Sequence, residues 1–194
     1  MIWRWVAASC CVMAIAFAGM SDGLAEPQVT QNIVYYDVSG ATASEVRANL
    51  NRLGPLDPSG RRNDGFTRWS VKWTFEYKDD AVGCAIASAS TTVEASITMP
   101  RLKADASVPA TLMRAFTDYS DKLLQHEKWH VQNAIDVARR IENIIRATAP
   151  ERTCNLLGRF ANSLGDRLLK EAVEKDRDYD ARTDHGRNEG ARFP

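Results

Sequence analysis

The sequence predicts an α+β fold, in which a small antiparallel sheet packs against a long helical hairpin. Three observations predict it. Residues 66–78 read as a strand with one buried face, apolar and polar residues alternating from Trp69 to Lys78. After Val108 the apolar spacing changes to three and four, the period of an amphipathic helix. The elements run strand, helix, strand, strand, helix, helix, an order that layers helices on one side of a sheet.

Met1–Ala25 reads as a secretory signal peptide. Arg4 gives the positive flank, and the apolar run Val6–Met20 is shorter than the roughly 20 residues a membrane span needs. Gly23 and Ala25 place small residues where cleavage requires them, so the expected product is one domain over residues 26–194, periplasmic or secreted. Cys10 lacks the bulky apolar residue before it that a lipid-modified cysteine needs. Removal of the signal takes Cys10 and Cys11, leaving Cys84 and Cys154. Two cysteines in an oxidising compartment predict one disulfide, worth about 2–4 kcal/mol by closing a long loop.

Within the domain, Asn32–Val38 is β-prone. Thr42-Ala-Ser-Glu45 has the form of a capping box and opens a helix to about Leu53. Pro55, Pro58, Gly60 and Gly65 mark residues 54–65 as a loop. In the alternating strand Trp69, Val71, Trp73, Phe75 and Tyr77 share one face, most simply the core face. Asp79, Asp80 and Gly83 form a turn, and Cys84–Met99 is a second long strand, its Ser/Thr-rich part from Val93 offering an edge for an extended peptide. Leu112, Phe116, Tyr119, Leu123, Ala134, Val137, Ile141 and Ile144 trace one helix from about Pro109 to Thr148, ended by Pro150. Leu157, Phe160, Leu164, Leu168 and Ala172 trace another from about Arg152 to Lys175. The segment from Asp176 to Pro194 is polar and aperiodic and reads as a tail.

Composition narrows the function classes. With 25 Lys+Arg against 25 Asp+Glu the chain carries no net charge, which argues against nucleic acid as a partner. Only the signal is apolar enough to approach a membrane, so no stable insertion is expected after cleavage.

Between Leu123 and Ala134 the apolar stripe should pass through positions 126 and 130. Those positions are His126 and His130, in the sequence His126-Glu127-Lys128-Trp129-His130. Residues i and i+4 lie about 40° apart around a helix and about 6 Å along it, so two imidazoles converge on one ion. Glu127 is turned about 100° aside, placed to take a proton from water at that ion. Two His and one Glu at this spacing arise by chance in about 1 of 400 sequences of this composition, and burying two unpartnered imidazoles costs a few kcal/mol. The segment therefore reads as a zincin-like active-site helix. A catalytic zinc needs a third protein ligand. The helix continues past His130 without the turn that would bring Asp136 back, so the ligand comes from later in the chain. Two candidates stand: Glu171, opposite His130 if the hairpin centres near Pro150, and His185, the remaining histidine.

These residues resemble the bacterial predicted secreted zinc-dependent proteases, long listed as a domain of unknown function. The likeness is carried by Tyr35-Tyr36-Asp37-Val38, the Gly65–Tyr77 strand, Cys84, the His126-Glu127-x-x-His130 helix, Cys154 and Tyr179-Asp180-x-x-Thr183-x-His185-Gly186. The resemblance implies that the last stretch belongs to the site, which favours His185 over Glu171. The expected enzyme is a zinc metallopeptidase acting on a peptide or protein. Zinc sits on His126, His130 and His185, and Glu127 is the general base. Tyr179 or Thr183 is a candidate donor to the oxyanion, and Asp180 or Asp184 a candidate to orient a histidine. A cell-wall amidase would share this mechanism. The rival class is a non-catalytic envelope or binding module with a structural zinc, which would have no use for Glu127.

Overall fold

The computed structural model describes residues 26–80, 83–104 and 108–194; the expected signal peptide lies outside them. Strand β1 (Gln28–Val38) leads into helix α1 (Ala43–Leu53). Strands β2 (Phe66–Asp80) and β3 (Gly83–Leu102) follow, then helices α2 (Ala110–Arg146) and α3 (Cys154–Thr183), and a 3-10 turn at Arg187–Glu189. The capping box is formed: Glu45 N–H donates to Thr42 Oγ1 at 3.3 Å and Thr42 N–H to Glu45 Oε2 at 3.2 Å.

The α+β class and the sheet-on-hairpin arrangement are as the patterning requires. The sheet order is β1-β3-β2. β2 and β3 pair antiparallel, as expected for strands only two residues apart in sequence, but β1 joins β3 in parallel, from Gln28↔Thr92 to Val38↔Leu102, so the sheet is mixed. The parallel pairing follows from the long passage through α1 and β2 that separates the two strands in sequence. β3 is thus the central strand, occupied on both sides. The expectation that Val93–Met99 offers a free edge does not hold; the edges are β1 and β2.

The alternation in β2 has a clear destination. Trp69 and Trp73 reach α3, where their indole N–H groups donate to Asp176 Oδ2 at 2.7 Å and Asn162 Oδ1 at 2.9 Å. Val71, Ala89 and Val93 of the sheet pack with Ala134, Val137, Ala138 and Ile141 of α2 and with Ala161, Leu168 and Ala172 of α3. A second cluster joins Val46 and Leu50 of α1, Ile97 and Met99 of β3, and Leu112, Phe116, Tyr119 and Leu123 of α2. Helix α2 therefore crosses the whole sheet, and its middle, residues 126–133, lies where the two clusters meet. Cys84 and Cys154 form a disulfide with S–S 2.03 Å, tying the start of β3 to the start of α3. Among the described residues no helix is long and apolar enough to cross a membrane.

Helix α3 is longer than the sequence pattern indicates. It runs on to Thr183 instead of ending near Lys175, and the stretch expected to be a polar tail forms its last two turns. After it, Asp184, His185 and Gly186 adopt positive φ, and the chain folds back so that Ala191 and Phe193 are buried. The Phe193 ring packs 5.6 Å from Phe116 and 5.3 Å from Tyr119.

Candidate metal centre

His126, Glu127 and His130 are 2%, 4% and 7% exposed, on the face of α2 that meets α3. The extension of α3 brings Asp176 and Asp180 against them. Asp180 Oδ1 stands 3.0 Å from His126 Nε2 and 3.1 Å from His130 Nε2. The three atoms lie within 4.8 Å of one another, the one such His/Cys/Asp/Glu group among the described residues. Each ring's other nitrogen faces a carboxylate, His130 Nδ1 against Asp176 Oδ1 at 2.9 Å and His126 Nδ1 against Glu189 Oε2 at 3.2 Å. A carboxylate only accepts, so with a metal on Nε2 each ring would keep its proton on Nδ1, donated to Asp176 or Glu189. Three atoms able to ligate a metal converge on one point. That arrangement is repulsive unless a cation or protons sit among them. Donors sharing one tetrahedral zinc stand about 3.3 Å apart, from Zn–N near 2.0–2.1 Å, so this donor set fits such an ion. The carboxylates that turn the Nδ1–H groups are the partners metal-bound imidazoles ordinarily have.

The electrostatics agree. Burial pulls the His130 pKa down, but the hydrogen bonds to Asp176 and Asp180 outweigh it and hold the ring at about 10 in the metal-free protein. Burial pushes Asp180 up, yet His126 and His130 carry it well below the ordinary carboxylate range. The site is built to hold positive charge.

Glu127 is positioned by β2. Its Oε2 accepts from the Thr67 hydroxyl at 2.7 Å. The carboxylate fits because residue 65 is glycine: a Cβ there would lie 2.8 Å from Glu127 Oε1. Burial raises the Glu127 pKa against the opposing pull of His130, Thr67 and His126, moving it toward the range useful to a general base. Glu127 lines the same pocket, of about 960 Å3, as His126, His130, Asp180, Thr67 and Arg61.

His185, expected as the third donor, stands beside the cluster. Its Nδ1 is 3.6 Å from Asp180 Oδ1, and the Arg61 guanidinium donates to its Nε2. A guanidinium only donates, so the ring is the acceptor in this contact, and the same Arg61 nitrogen lies 3.5 Å from Nδ1. The backbone here is unusual: Asp184 and His185 have φ of 49° and 50°, a conformation that persists in non-glycine residues only where the surroundings fix it. Gly186 has φ 82°, and a Cβ on it would lie 3.0 Å from His126 Cγ, so glycine is required on both counts.

The remaining candidates have other partners. Glu171 pairs with Arg140 at 3.2 Å on the outer surface, because Asn133 and His130 lie opposite Ala172 and Asp176 instead. Tyr179 stacks on His126 at 4.8 Å and on Trp129 at 3.7 Å, and its hydroxyl donates to Glu189 at 2.8 Å. The Thr183 hydroxyl donates to Tyr179 O at 2.8 Å and accepts from Gly186 N–H at 3.3 Å. Both hydroxyls thus brace the site's framework. Asp184 lies 3.8 Å from Arg187; it is Asp180 that meets the histidines.

No curated protein and no solved structure matches the chain. The sequence profile of the family described as "Bacterial protein of unknown function (DUF922)" matches residues 33–186, a span that holds every donor above except Glu189. Since that match covers most of its length, the chain belongs to DUF922.

Proposed function

We propose that this chain is an exported zinc-dependent hydrolase, acting on peptide bonds, with His126, His130 and Asp180 as metal ligands and Glu127 as general base. The observation that carries the reading is the convergence of three atoms able to ligate a metal, His126 Nε2, His130 Nε2 and Asp180 Oδ1, with both imidazoles turned by carboxylates. The disulfide supports export, since such bonds persist in oxidising compartments.

A zinc ion bound there would supply Lewis acidity, lowering the pKa of water toward 7 and polarising a carbonyl. The chain's own groups do the rest. Asp176 and Glu189 keep the two imidazoles in one tautomer. Thr67 holds Glu127 by one oxygen and leaves the other for a proton taken from water and passed to the leaving amine. The wide pocket gives a substrate access to Glu127. A structural clamp needs neither a buried carboxylate beside its donors nor an open approach.

The test is metal content and turnover together. Purified protein should carry about one zinc, D180A and H126A should lose it, and H185A should keep it. Glu127→Gln should retain zinc and thermal stability while peptide hydrolysis falls by a factor of about 100 or more. Hydrolysis that persists in that variant removes Glu127 as the base; zinc lost in H185A but kept in D180A reassigns the third ligand.

A further inference from the structure

We infer that Arg61 is an anchor for a carboxylate of the substrate. The inference rests on the hydrolase reading and adds the chemistry of what is bound.

The loop between α1 and β2 is built to present this side chain. Asp57 N–H donates to Arg61 O at 2.9 Å, and Arg61 N–H donates back to Asp57 Oδ1 at 3.0 Å, so the backbone of Arg61 is held from both sides. The same Oδ1 takes the N–H and the hydroxyl of Ser59 at 2.8 and 2.6 Å. These bonds close a tight turn that needs Asp57 ionised. The loop is fastened beyond it as well. Asp64 O accepts from Tyr36, and the Asp64 carboxylate accepts from Tyr119 at 2.7 Å and pairs with Arg47. The two neighbouring arginines part company: Arg62 turns back onto Gly54 O at 2.7 Å, while Arg61 enters the pocket against His185.

What Arg61 meets there does not satisfy it. Its acidic partner, Asp57, is 3.4 Å from Nε and already engaged by the turn, and the side chain is 56% exposed. Its contact with His185 uses one of five N–H donors. The guanidinium lines the same pocket as a group of donors suited to a divalent cation. An anion bound between the guanidinium and that site is attracted by both. The planar fork of a guanidinium matches a carboxylate, and Arg177 and Arg187 line the same pocket. On a peptide that carboxylate is either the chain terminus or an acidic side chain close to the bond attacked.

The experiment uses the full-length zinc-loaded Glu127→Gln protein, which binds without turnover. Three probes are titrated calorimetrically: acetyl-Ala-Ala-Ala with a free terminus, its amide, and acetyl-Ala-Glu-Ala amide. One carboxylate peptide should bind about ten- to a hundredfold tighter than the neutral amide. The tighter of the two identifies a terminal or a side-chain carboxylate. In E127Q/R61Q that advantage should vanish, and in E127Q/R61K it should survive in part. Zinc content and melting temperature should be equal in all three, since Arg61 lies on an exposed loop. The advantage should also remain in zinc-stripped protein, which separates Arg61 from direct binding to the metal. No preference for either carboxylate peptide, or a preference unchanged in R61Q, overturns the anchor. Peptide turnover by the wild-type protein is scored separately. Arg61-dependent binding without turnover removes the hydrolase reading and leaves the anchor; turnover with no carboxylate preference does the reverse.

Discussion

Asp176 is the residue on which the geometry of the candidate centre depends most, and Asp176→Asn tests that dependence. Its two oxygens receive three donors: His130 Nδ1 at 2.9 Å and Asn133 Nδ2 at 2.8 Å on Oδ1, and Trp69 Nε1 at 2.7 Å on Oδ2. An asparagine of the same shape has one oxygen. Facing that oxygen to His130 and Asn133 leaves its NH2 against the indole N–H, donor against donor. The buried, unmatched pair costs about 1–3 kcal/mol of folding stability. The charge that makes His130 basic is lost too, and removing such a partner costs about 10–100-fold in metal affinity. Denaturant unfolding of the metal-free protein measures the first effect, and zinc titration against a competing chelator the second. Adding Trp69→Phe to D176N removes the offending donor. It should return about 1 kcal/mol of stability while leaving zinc affinity low. Wild-type zinc affinity in D176N would refute the argument that carboxylates orient these imidazoles.

Gly65→Ala should push Glu127 off its place, since the added methyl falls 2.8 Å from Oε1 and 3.1 Å from Leu123 Cγ. Stability should fall by about 1–3 kcal/mol and kcat should drop with zinc content unchanged; normal kcat would place the base elsewhere. Zinc affinity should rise up to about tenfold per pH unit between the ordinary His value of 6.5 and the value of about 10 that His130 has without metal, because binding displaces its proton. The sign for stability is opposite. The metal-free protein keeps the benefit of the protonated ring in full below 6.5 and loses it as pH rises toward about 10, while the zinc-loaded protein does not; parallel denaturation curves would contradict this. Reducing the disulfide, whose cysteines are 70 residues apart, should cost about 4 kcal/mol in a chain-entropy account, read as a lowered unfolding midpoint. An unchanged midpoint would mean that α3 docks fully without it.

Much of this arrangement is written locally. The alternation from Trp69 to Lys78 identifies β2, Thr42 and Glu45 identify the start of α1, and His126 and His130 stand out because they interrupt an apolar stripe. The same interruption recurs in α3 and was legible in principle. Leu168 and Ala172 continue into Asp176, Tyr179, Asp180 and Thr183 at helical spacing, and Tyr179 and Thr183 are buried. Read by composition, Glu174–Asp184 resembles a solvated tail; read by spacing, it is a stripe whose apolar members have been exchanged for polar ones opposite the histidines. Other features depend on distant partners and leave no local mark. The parallel pairing of β1 depends on strands more than 60 residues apart. Glu189 reaches His126 from the turn that follows α3, where the Tyr179 hydroxyl also donates to it, and nothing near Glu189 in sequence announces that. The outward course of Glu171 is a matter of hairpin register, which the position of Pro150 alone does not set.

The two interrupted stripes have a common physical cause. Up to Ala172, α3 is held to α2 and the sheet by apolar contacts with Ala134, Val137, Ala138 and Ile141. Beyond it, Tyr179 is the one large apolar group facing inward, and the seam is otherwise made of Asp176, Asp180, His126, His130 and Asn133. Carboxylates brought against imidazoles in a half-buried seam are stable only when the positive charge needed to match them is present, as protons on the rings or as a cation among them. The last two turns of α3 therefore dock by charge matching where the first turns dock by packing. A cation that replaces the His130 proton strengthens the same seam it occupies, so metal affinity and the docking of residues 176–183 are linked quantities. This linkage is the reason D176N must be read by two measurements. A loss of zinc affinity alone would come equally from a misaligned imidazole or from an undocked helix end. Rescue of stability by W69F, without rescue of zinc binding, isolates the imidazole.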